Sequence, residues 1–312
     1  MFLSVSTPLL LQSIGTGSRS ARCLSPNRSY LVTGYSADGI GAAIALVLAK
    51  RGHHVFVTAR NTAKIPEALS SLSNVTILSL DVGDLEFIAT AAKAVVDSGR
   101  GLDVLVNNAG GGYVRPILDI DIAEAQRLYD INLWGPLRMI QAFSEILISS
   151  RGWIVNVSSS GSFLNSPWMS TYASSKVALN TYSETLRLEL APFGVSVVTI
   201  VPGVIDSKLH VNDEASFNLP RGSRYSAIKD IIRRGAGGEF IPKDGLSAEK
   251  FAELVLDDVS GTGKGGIFSR GPYAPMLKYI GRWAPAWLGD YLLSQNQGLK
   301  ELSQTLAREQ NS

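Results

Sequence analysis

The sequence predicts an α/β protein, a doubly wound parallel sheet of about seven strands with helices on both faces. Three observations predict it. Short runs rich in Val and Ile, apolar on both faces, alternate with longer segments of helical period, and a strand apolar on both faces belongs inside a parallel sheet. A glycine-rich turn over residues 33–41 separates the first apolar run from the first helical segment. In that segment Ile40, Ile44 and Leu48 recur every four residues, and Gly52 follows as a C-cap.

The strand candidates follow in order. They are Leu31-Val32, Val55-Phe56-Val57, Val75 to Leu80, Val104-Leu105-Val106, Ile154 to Val157, Val195 to Val201 and Ile267-Phe268. Before the sixth run, Leu179, Tyr182, Leu186 and Leu190 recur at helical spacing until Pro192 and Gly194 end the helix. Interleaved strands and helices of this kind build a sheet covered on both sides.

Composition sets limits on function. Of 312 residues 45% are hydrophobic and only 18% charged, below the roughly 25% of an average soluble protein. Such a chain buries a large core, which excludes a disordered or fibrous protein. A net charge of +2, with no Lys/Arg cluster, gives no field for holding nucleic acid. The single cysteine, Cys23, excludes an intramolecular disulfide and any zinc site of several thiolates. His53 and His54 are adjacent, lack an acidic cluster, and read as solvated residues ahead of a strand; no metal is expected. The longest uncharged apolar stretch, Ile40 to Ala49, is about half of what a bilayer core requires.

Three regions divide the chain. Residues 1–29 contain no Asp or Glu, seven serines and three arginines behind the apolar patch Phe2 to Leu11. They read as an organelle presequence, a disordered extension or a start codon placed too early. Residues 30–293 form one dinucleotide-binding (Rossmann-type) domain with a substrate loop at about 208–245, and 294–312 a polar tail. Localisation stays open between cytoplasmic, peripherally membrane-associated and organellar.

The turn Thr33-Gly34-Tyr35-Ser36-Ala37-Asp38-Gly39-Ile40-Gly41 lies where a dinucleotide site needs glycines. Gly34 permits the tight turn, Gly39 lets backbone approach a pyrophosphate, and Gly41 lets helix pack on strand, while the helix N-terminus offers free N–H groups to the phosphates. Ser36 and Ile40 join these glycines as cofactor contacts. The second strand ends Thr58-Ala59-Arg60. An acid there would bind a ribose 2′-hydroxyl, whereas the Arg60 guanidinium pairs with a 2′-phosphate. NADP(H) is therefore expected over NAD(H).

Tyr172-Ala173-Ser174-Ser175-Lys176 heads a helix. The i, i+4 spacing sets Lys176 beside Tyr172. A phenol titrating near 10 is a poor base at neutral pH; a neighbouring ammonium lowers that value and lets the tyrosine exchange a proton with a substrate oxygen.

With these motifs the chain resembles the classical short-chain dehydrogenase/reductase family. The Gly34/Gly39/Gly41 turn, Asp81-Val82, Asn107-Asn108-Ala109-Gly110, Asn132, Ser159, Tyr172 with Lys176, and Pro202-Gly203 followed by Ser207 occur in family order. The resemblance implies that Tyr172 donates and accepts the proton and Ser159 hydrogen-bonds the substrate carbonyl. Lys176 would tune the tyrosine and hold the nicotinamide ribose, and Asn132 would anchor a water in the proton relay. Asp81 and Val82 would contact adenine, Asn108 would lie beside the adenosine ribose, and Ile205 and Ser207 would hold the carboxamide. Members are often dimers or tetramers, so a homo-oligomer is implied. Four residues rather than three part Gly34 from Gly39. That turn, with Thr58-Ala59-Arg60 and residues 182–190, looks like the fungal branch of NADPH-dependent 1-acyldihydroxyacetone-phosphate reductase and secondary-metabolism enzymes.

The implied reaction is hydride transfer between nicotinamide and the carbonyl or secondary alcohol of a small, apolar or lipid-like molecule. Oxidation of a terpenoid, polyketide or steroid-like alcohol is the alternative direction, and a catalytically silent NADP-binding scaffold the alternative of another class. Arg221, Arg224, Arg233 and Arg234 in the substrate segment read as solvated, with a phosphate or carboxylate receptor as the sharper reading. From Tyr273 to Leu293 large apolar residues crowd around Lys278 and Arg282. They form a peripheral membrane or lipid-droplet contact, a subunit contact, a substrate cover or local packing.

Overall fold

The computed structural model describes residues 27–207, 209–260 and 265–311. Most of the extension read over residues 1–29, including Cys23, lies outside the described residues. Strands β1 (Ser29–Val32), β2 (His54–Ala59), β3 (Val75–Ser79), β4 (Val104–Asn107), β5 (Trp153–Val157), β6 (Ser196–Pro202) and β7 (Gly266–Arg270) coincide with the apolar runs. They form one parallel sheet in the order β3-β2-β1-β4-β5-β6-β7. The order reverses between β1 and β4, and a crevice opens beyond the strand ends at such a switch point.

The helices are α1 (Ile40–Lys50), α2 (Glu67–Ser70), α3 (Leu85–Asp97), α4 (Ile122–Tyr129), α5 (Gly135–Ser150) and α6 (Ser170–Leu190), followed by α7 (Leu209–Ser216), α8 (Lys229–Ala236), α9 (Ala248–Ser260), α10 (Ala274–Trp283), α11 (Ala286–Ser294) and α12 (Leu299–Gln310). The period-two alternation of the strands splits the core into two layers. Tyr30, Val32, Val55 and Val57 join Ile44 and Leu48 of α1 and Phe251 and Val255 of α9 on one face. Leu31, Phe56, Leu105 and Ile154 join Ile88 of α3 and Met139 and Phe143 of α5 on the other. Each fully buried side chain of this kind contributes about 1.5–3 kcal/mol, so the sheet is a rigid platform for the loops at its edge.

His53 and His54 correct the sequence expectation. Both are buried, because β2 lies between β1 and β3. His53 packs 5.1 Å from the Tyr30 ring and His54 edge-on at 4.7 Å to Phe56, while His54 Nε2 hydrogen-bonds the Thr76 hydroxyl at 3.2 Å. Burial lowers both imidazole pKa values. The stretch read as a polar tail holds α12, whose Leu302 packs against a small third cluster built from Val114, Phe217, Leu219, Ile228, Ile232 and Ala236. No described helix is long and apolar enough to cross a membrane.

Candidate active site

The cofactor crevice begins at Gly34, whose φ of +77° and close approach to Ala109 (2.5 Å from an added Cβ) leave no room for a side chain. The turn is held from the β4 side. Asn108 donates its amide to the carbonyls of Thr33 at 2.9 Å and Gly34 at 3.2 Å, and the Thr33 hydroxyl accepts the N–H groups of Asn108 and Ala109, both at 3.0 Å. Gly41 packs on the Asn108 amide and the Gly34 carbonyl. Its small size therefore serves the contact between α1 and the post-β4 loop. Gly39 caps α1 with no side-chain hydrogen bond, so the first N–H groups of α1 stay open toward a diphosphate. Exposed Ser36 and half-buried Ile40 flank this cradle.

Arg60 follows β2 on the exposed surface beside the turn, where Tyr35 N–H donates to the Thr58 carbonyl at 2.9 Å. The Asp81 carboxylate accepts the Gly83 N–H at 2.9 Å. Val82 is buried, and its side chain packs against Gly135 at the start of α5; what it offers an adenine is backbone. Beyond β6, Gly203 abuts the Pro272 carbonyl, and Asp206 N–H donates to the Leu246 carbonyl at 3.0 Å. These contacts fix half-buried Ile205 and Ser207 at the far end of the crevice.

The reacting centre forms where β5 meets α6. Of the three consecutive serines, Ser158 is buried and directs its hydroxyl to the Lys176 carbonyl at 3.4 Å. Ser159 instead accepts the Gly161 N–H at 3.1 Å, and it meets the Tyr172 ring across Gly161, where an added Cβ would stand 3.5 Å from Ser159 Oγ and 3.8 Å from Tyr172 Cε1. Accepting at Gly161 leaves the Ser159 proton to be donated to the phenol oxygen or, in its place, to a ligand oxygen. Lys176 is buried one helical turn on and donates its ammonium to the Val157 carbonyl at 3.0 Å.

Asn132 lies in a π turn, Asp130–Trp134, between α4 and α5. Its side chain is fully buried. It accepts the Gly111 N–H at 2.9 Å, and its amide donates to the Gly111 carbonyl at 3.0 Å and the Ser175 hydroxyl at 3.1 Å. Both amide protons are spent in clamping the post-β4 loop to α6. Gly110 completes the wall: a Cβ there would stand 3.2 Å from Asn132 Oδ1 and 3.4 Å from Lys176 Nζ.

The electrostatics differ from the sequence expectation in one respect. Burial dominates at Tyr172 and raises its pKa, the hydrogen bond from Ser159 acts in the lowering direction, and the negative charge of Asp213 raises it further. The Lys176 ammonium, which donates to the Val157 carbonyl, is not among the charges acting on the phenol. Burial lowers Lys176 itself from 10.5 to about 8.

A model of the short chain dehydrogenase family matches residues 28–216. The chain belongs to that family. It is 40% identical over 274 residues to the short-chain dehydrogenase ptmH of Penicillium ochrochloron, across 87% of this chain and 98% of the relative. The NADPH-dependent 1-acyldihydroxyacetone phosphate reductase of Schizosaccharomyces pombe is 33% identical over 240 residues, 75% of this chain and 79% of the relative. A short chain dehydrogenase of Burkholderia cenocepacia solved in complex with NADP has a TM-score of 0.68 and 25% identity, covering 86% of this chain and 98% of that one. The family resemblance is thus met, and this short-chain dehydrogenase is an oxidoreductase acting on a small molecule.

The segment expected to form the substrate loop holds α7 and α8. Arg221 and Arg224 are exposed. Arg233 pairs with Glu214 at 3.1 Å and Arg234 with Glu239 at 2.9 Å, so both guanidinium groups are committed to surface pairs. Below them α10 and α11 brace the loop after Ser159. Gly281 abuts the Phe163 carbonyl, Gly289 lies 3.1 Å (from an added Cβ) from Leu164, and Trp168 donates to the Gln297 carbonyl at 3.2 Å. Two functional positions escape sequence reasoning. Ser175, the partner of Asn132, sits unremarked inside the Tyr–Lys pentapeptide. Asp213 looks like one of several acids on a solvated helix, yet it is buried and its charge reaches Tyr172.

Proposed function

We propose that the protein is an NADP(H)-dependent oxidoreductase that transfers hydride between the nicotinamide and a carbonyl or secondary alcohol of an apolar, lipid-like or secondary-metabolite substrate. The observation that carries this reading is the meeting of Ser159 and the Tyr172 ring at Gly161, with buried Lys176 one helical turn on. The bound nicotinamide supplies the hydride. Tyr172 gives its proton to the oxygen that gains charge, and its raised pKa keeps the phenol protonated before reaction. The Ser159 hydroxyl donates to the same oxygen, an interaction that strengthens as negative charge accumulates. Lys176 supplies a donor for a ribose hydroxyl one helical turn from Tyr172, and Asn132 fixes the loop that walls the site. Asp81, Val82, Asn108, Ile205 and Ser207 line the cofactor crevice in this reading.

Exposed Arg60 supports a 2′-phosphate and hence NADP(H) over NAD(H). The outward faces of α10 and α11 support a peripheral lipid contact: Tyr279, Trp283, Trp287 and Tyr291 are 61–72% exposed, and aromatic residues with nearby Lys278 and Arg282 suit a headgroup layer. Exposed Ile122, Tyr182 and Leu188 on α4 and α6 support self-association. The test is the NADPH absorbance change across a panel of ketones and secondary alcohols with both phosphorylated and unphosphorylated cofactors. Turnover that disappears in Tyr172→Phe while NADPH binding survives is the expected result. Unchanged turnover in that variant would overturn the mechanism.

A further inference from the structure

Asp213 is the one residue of α7 that is buried, with 5% of its surface exposed. Its carboxyl group lies directly over Gly112, in the loop that Asn132 clamps: a Cβ on Gly112 would coincide with both carboxyl oxygens. It is near enough to Tyr172 for its charge to act on the phenol. Among the described residues the carboxylate accepts no hydrogen bond and makes no ion pair; only the backbone carbonyl of Asp213 is used, by the Ser216 hydroxyl at 3.1 Å.

Among the described residues, the arginines around α7 are committed elsewhere. Arg233 pairs with Glu214. Arg115 donates to the carbonyls of Val114 and Ser216, both at 2.9 Å, and stacks between Tyr113 and Phe217. Burial raises the Asp213 carboxyl pKa from 3.8 to about 7. The carboxyl oxygens thus keep an open side, free to take a donor that the described residues do not supply.

We propose that Asp213 is a recognition subsite for a hydroxyl group on the substrate, one placed close to the carbon that exchanges hydride. This rests on the hydride-transfer reading above. A hydroxyl fits better than the alternatives. A phosphate or carboxylate at this point would meet like charge beside Gly112. A permanent cation would have to shed its water next to the apolar cluster of Val114 and Phe217. A neutral hydroxyl donates one hydrogen bond to the carboxylate, and a charge-assisted bond of this kind discriminates by about ten- to a hundredfold against a ligand lacking it.

The experiment uses two readouts on the full chain. In the first, NADP-loaded enzyme is titrated with 1-phenylethane-1,2-diol and with 1-phenylethanol, followed by protein fluorescence. In the second, kcat/KM with NADPH is compared for 2-hydroxyacetophenone, its O-methyl ether and acetophenone. The diol and the hydroxyketone should be preferred by about tenfold or more. Asp213→Leu should remove that preference and Asp213→Asn reduce it, with NADPH binding reporting that each variant is folded. Glu214→Gln, which alters only the surface pair with Arg233, should leave the preference intact. Equal binding of diol and alcohol to the unaltered enzyme, including failure of both to bind, overturns the subsite, as does a preference that survives in Asp213→Leu. A diol preference without turnover of any ketone would sink the hydride-transfer reading and spare the subsite.

Discussion

The Lys176 ammonium donates to the Val157 carbonyl at 3.0 Å, at the last residue of β5 and immediately beneath the serine run. That single described contact holds a buried charge, and burial brings its pKa down from 10.5 to about 8. Between pH 8 and 10.5 the native chain therefore binds fewer protons than the unfolded chain, and stability rises with pH across that window. Lys176→Met lacks this dependence. Its melting temperature should equal or exceed the unaltered protein's at pH 7, with the advantage shrinking above pH 8, while turnover falls by about a hundredfold or more. Thermal melts at stepped pH, read beside kcat, check both halves.

The clamp between Asn132 and Ser175 should behave differently. Ser175→Ala strips the buried Asn132 amide of one acceptor at 3.1 Å, and an orphaned buried donor costs about 1–3 kcal/mol. The hydroxyl also donates back to the Tyr172 carbonyl at 2.7 Å, so the start of α6 loosens as well. The expected outcome is a lower melting temperature and a reduced kcat with little change in the KM for NADPH. A fall in NADPH affinity as large as the fall in kcat would contradict the clamp.

The strands and the order of the site were legible in the sequence because they rest on local patterns. Runs such as Val55-Phe56-Val57 carry their own period, and Tyr172 and Lys176 share a helix face by spacing alone. What stayed illegible depends on long-range packing. Asp213 carries no signal in the sequence, because its burial is created by Gly112, some hundred residues earlier in the chain. His53 and His54 read as solvated because the cover from Tyr30 and Thr76 comes from neighbouring strands. The sign of the Tyr172 shift was missed for a similar reason. Spacing sets Lys176 beside the phenol, but only the fold shows how deeply the phenol is buried, and burial is what raises its pKa.

Arg60 tests the cofactor preference. It is exposed at the end of β2, so its removal should leave the fold intact. Losing one charge-assisted contact to a 2′-phosphate costs about 1.5–3 kcal/mol, or roughly ten- to a hundredfold in affinity. Arg60→Ala should raise the KM for NADPH by about that factor and leave the KM for NADH within a small margin. Equal losses with both cofactors would place the guanidinium's role elsewhere.

The carboxyl of Asp213 makes a prediction about stability that needs no substrate. Its native pKa of about 7 lies above the ordinary 3.8. Between those values the native chain binds more protons than the unfolded chain, so stability falls as pH rises through the window. The full effect above pH 7 is roughly 4 kcal/mol as an upper bound. Asp213→Asn should match the unaltered protein near pH 4 and exceed it in melting temperature above pH 7. A variant less stable at pH 8 would mean that the ionised carboxylate has a stabilising partner.

The aromatic face of α10 and α11 invites a last test. Trp283 and Trp287 are 72% and 67% exposed, on the side away from the Gly281 and Gly289 contacts that brace Phe163 and Leu164. Replacing both with serine removes apolar area without touching those inner contacts, so the loop after Ser159 should keep its place and turnover of a water-soluble ketone its rate. Interfacial binding scales with the apolar area inserted and with attraction to anionic lipid, and burying a large side chain contributes about 1.5–3 kcal/mol. The double variant should therefore lose about tenfold or more in co-flotation with vesicles of mixed phosphatidylcholine and phosphatidylserine. If the unaltered protein does not float with such vesicles, the face serves something other than lipid. If the variant changes the sedimentation of the protein instead, the aromatic stripe is a contact between copies of the chain.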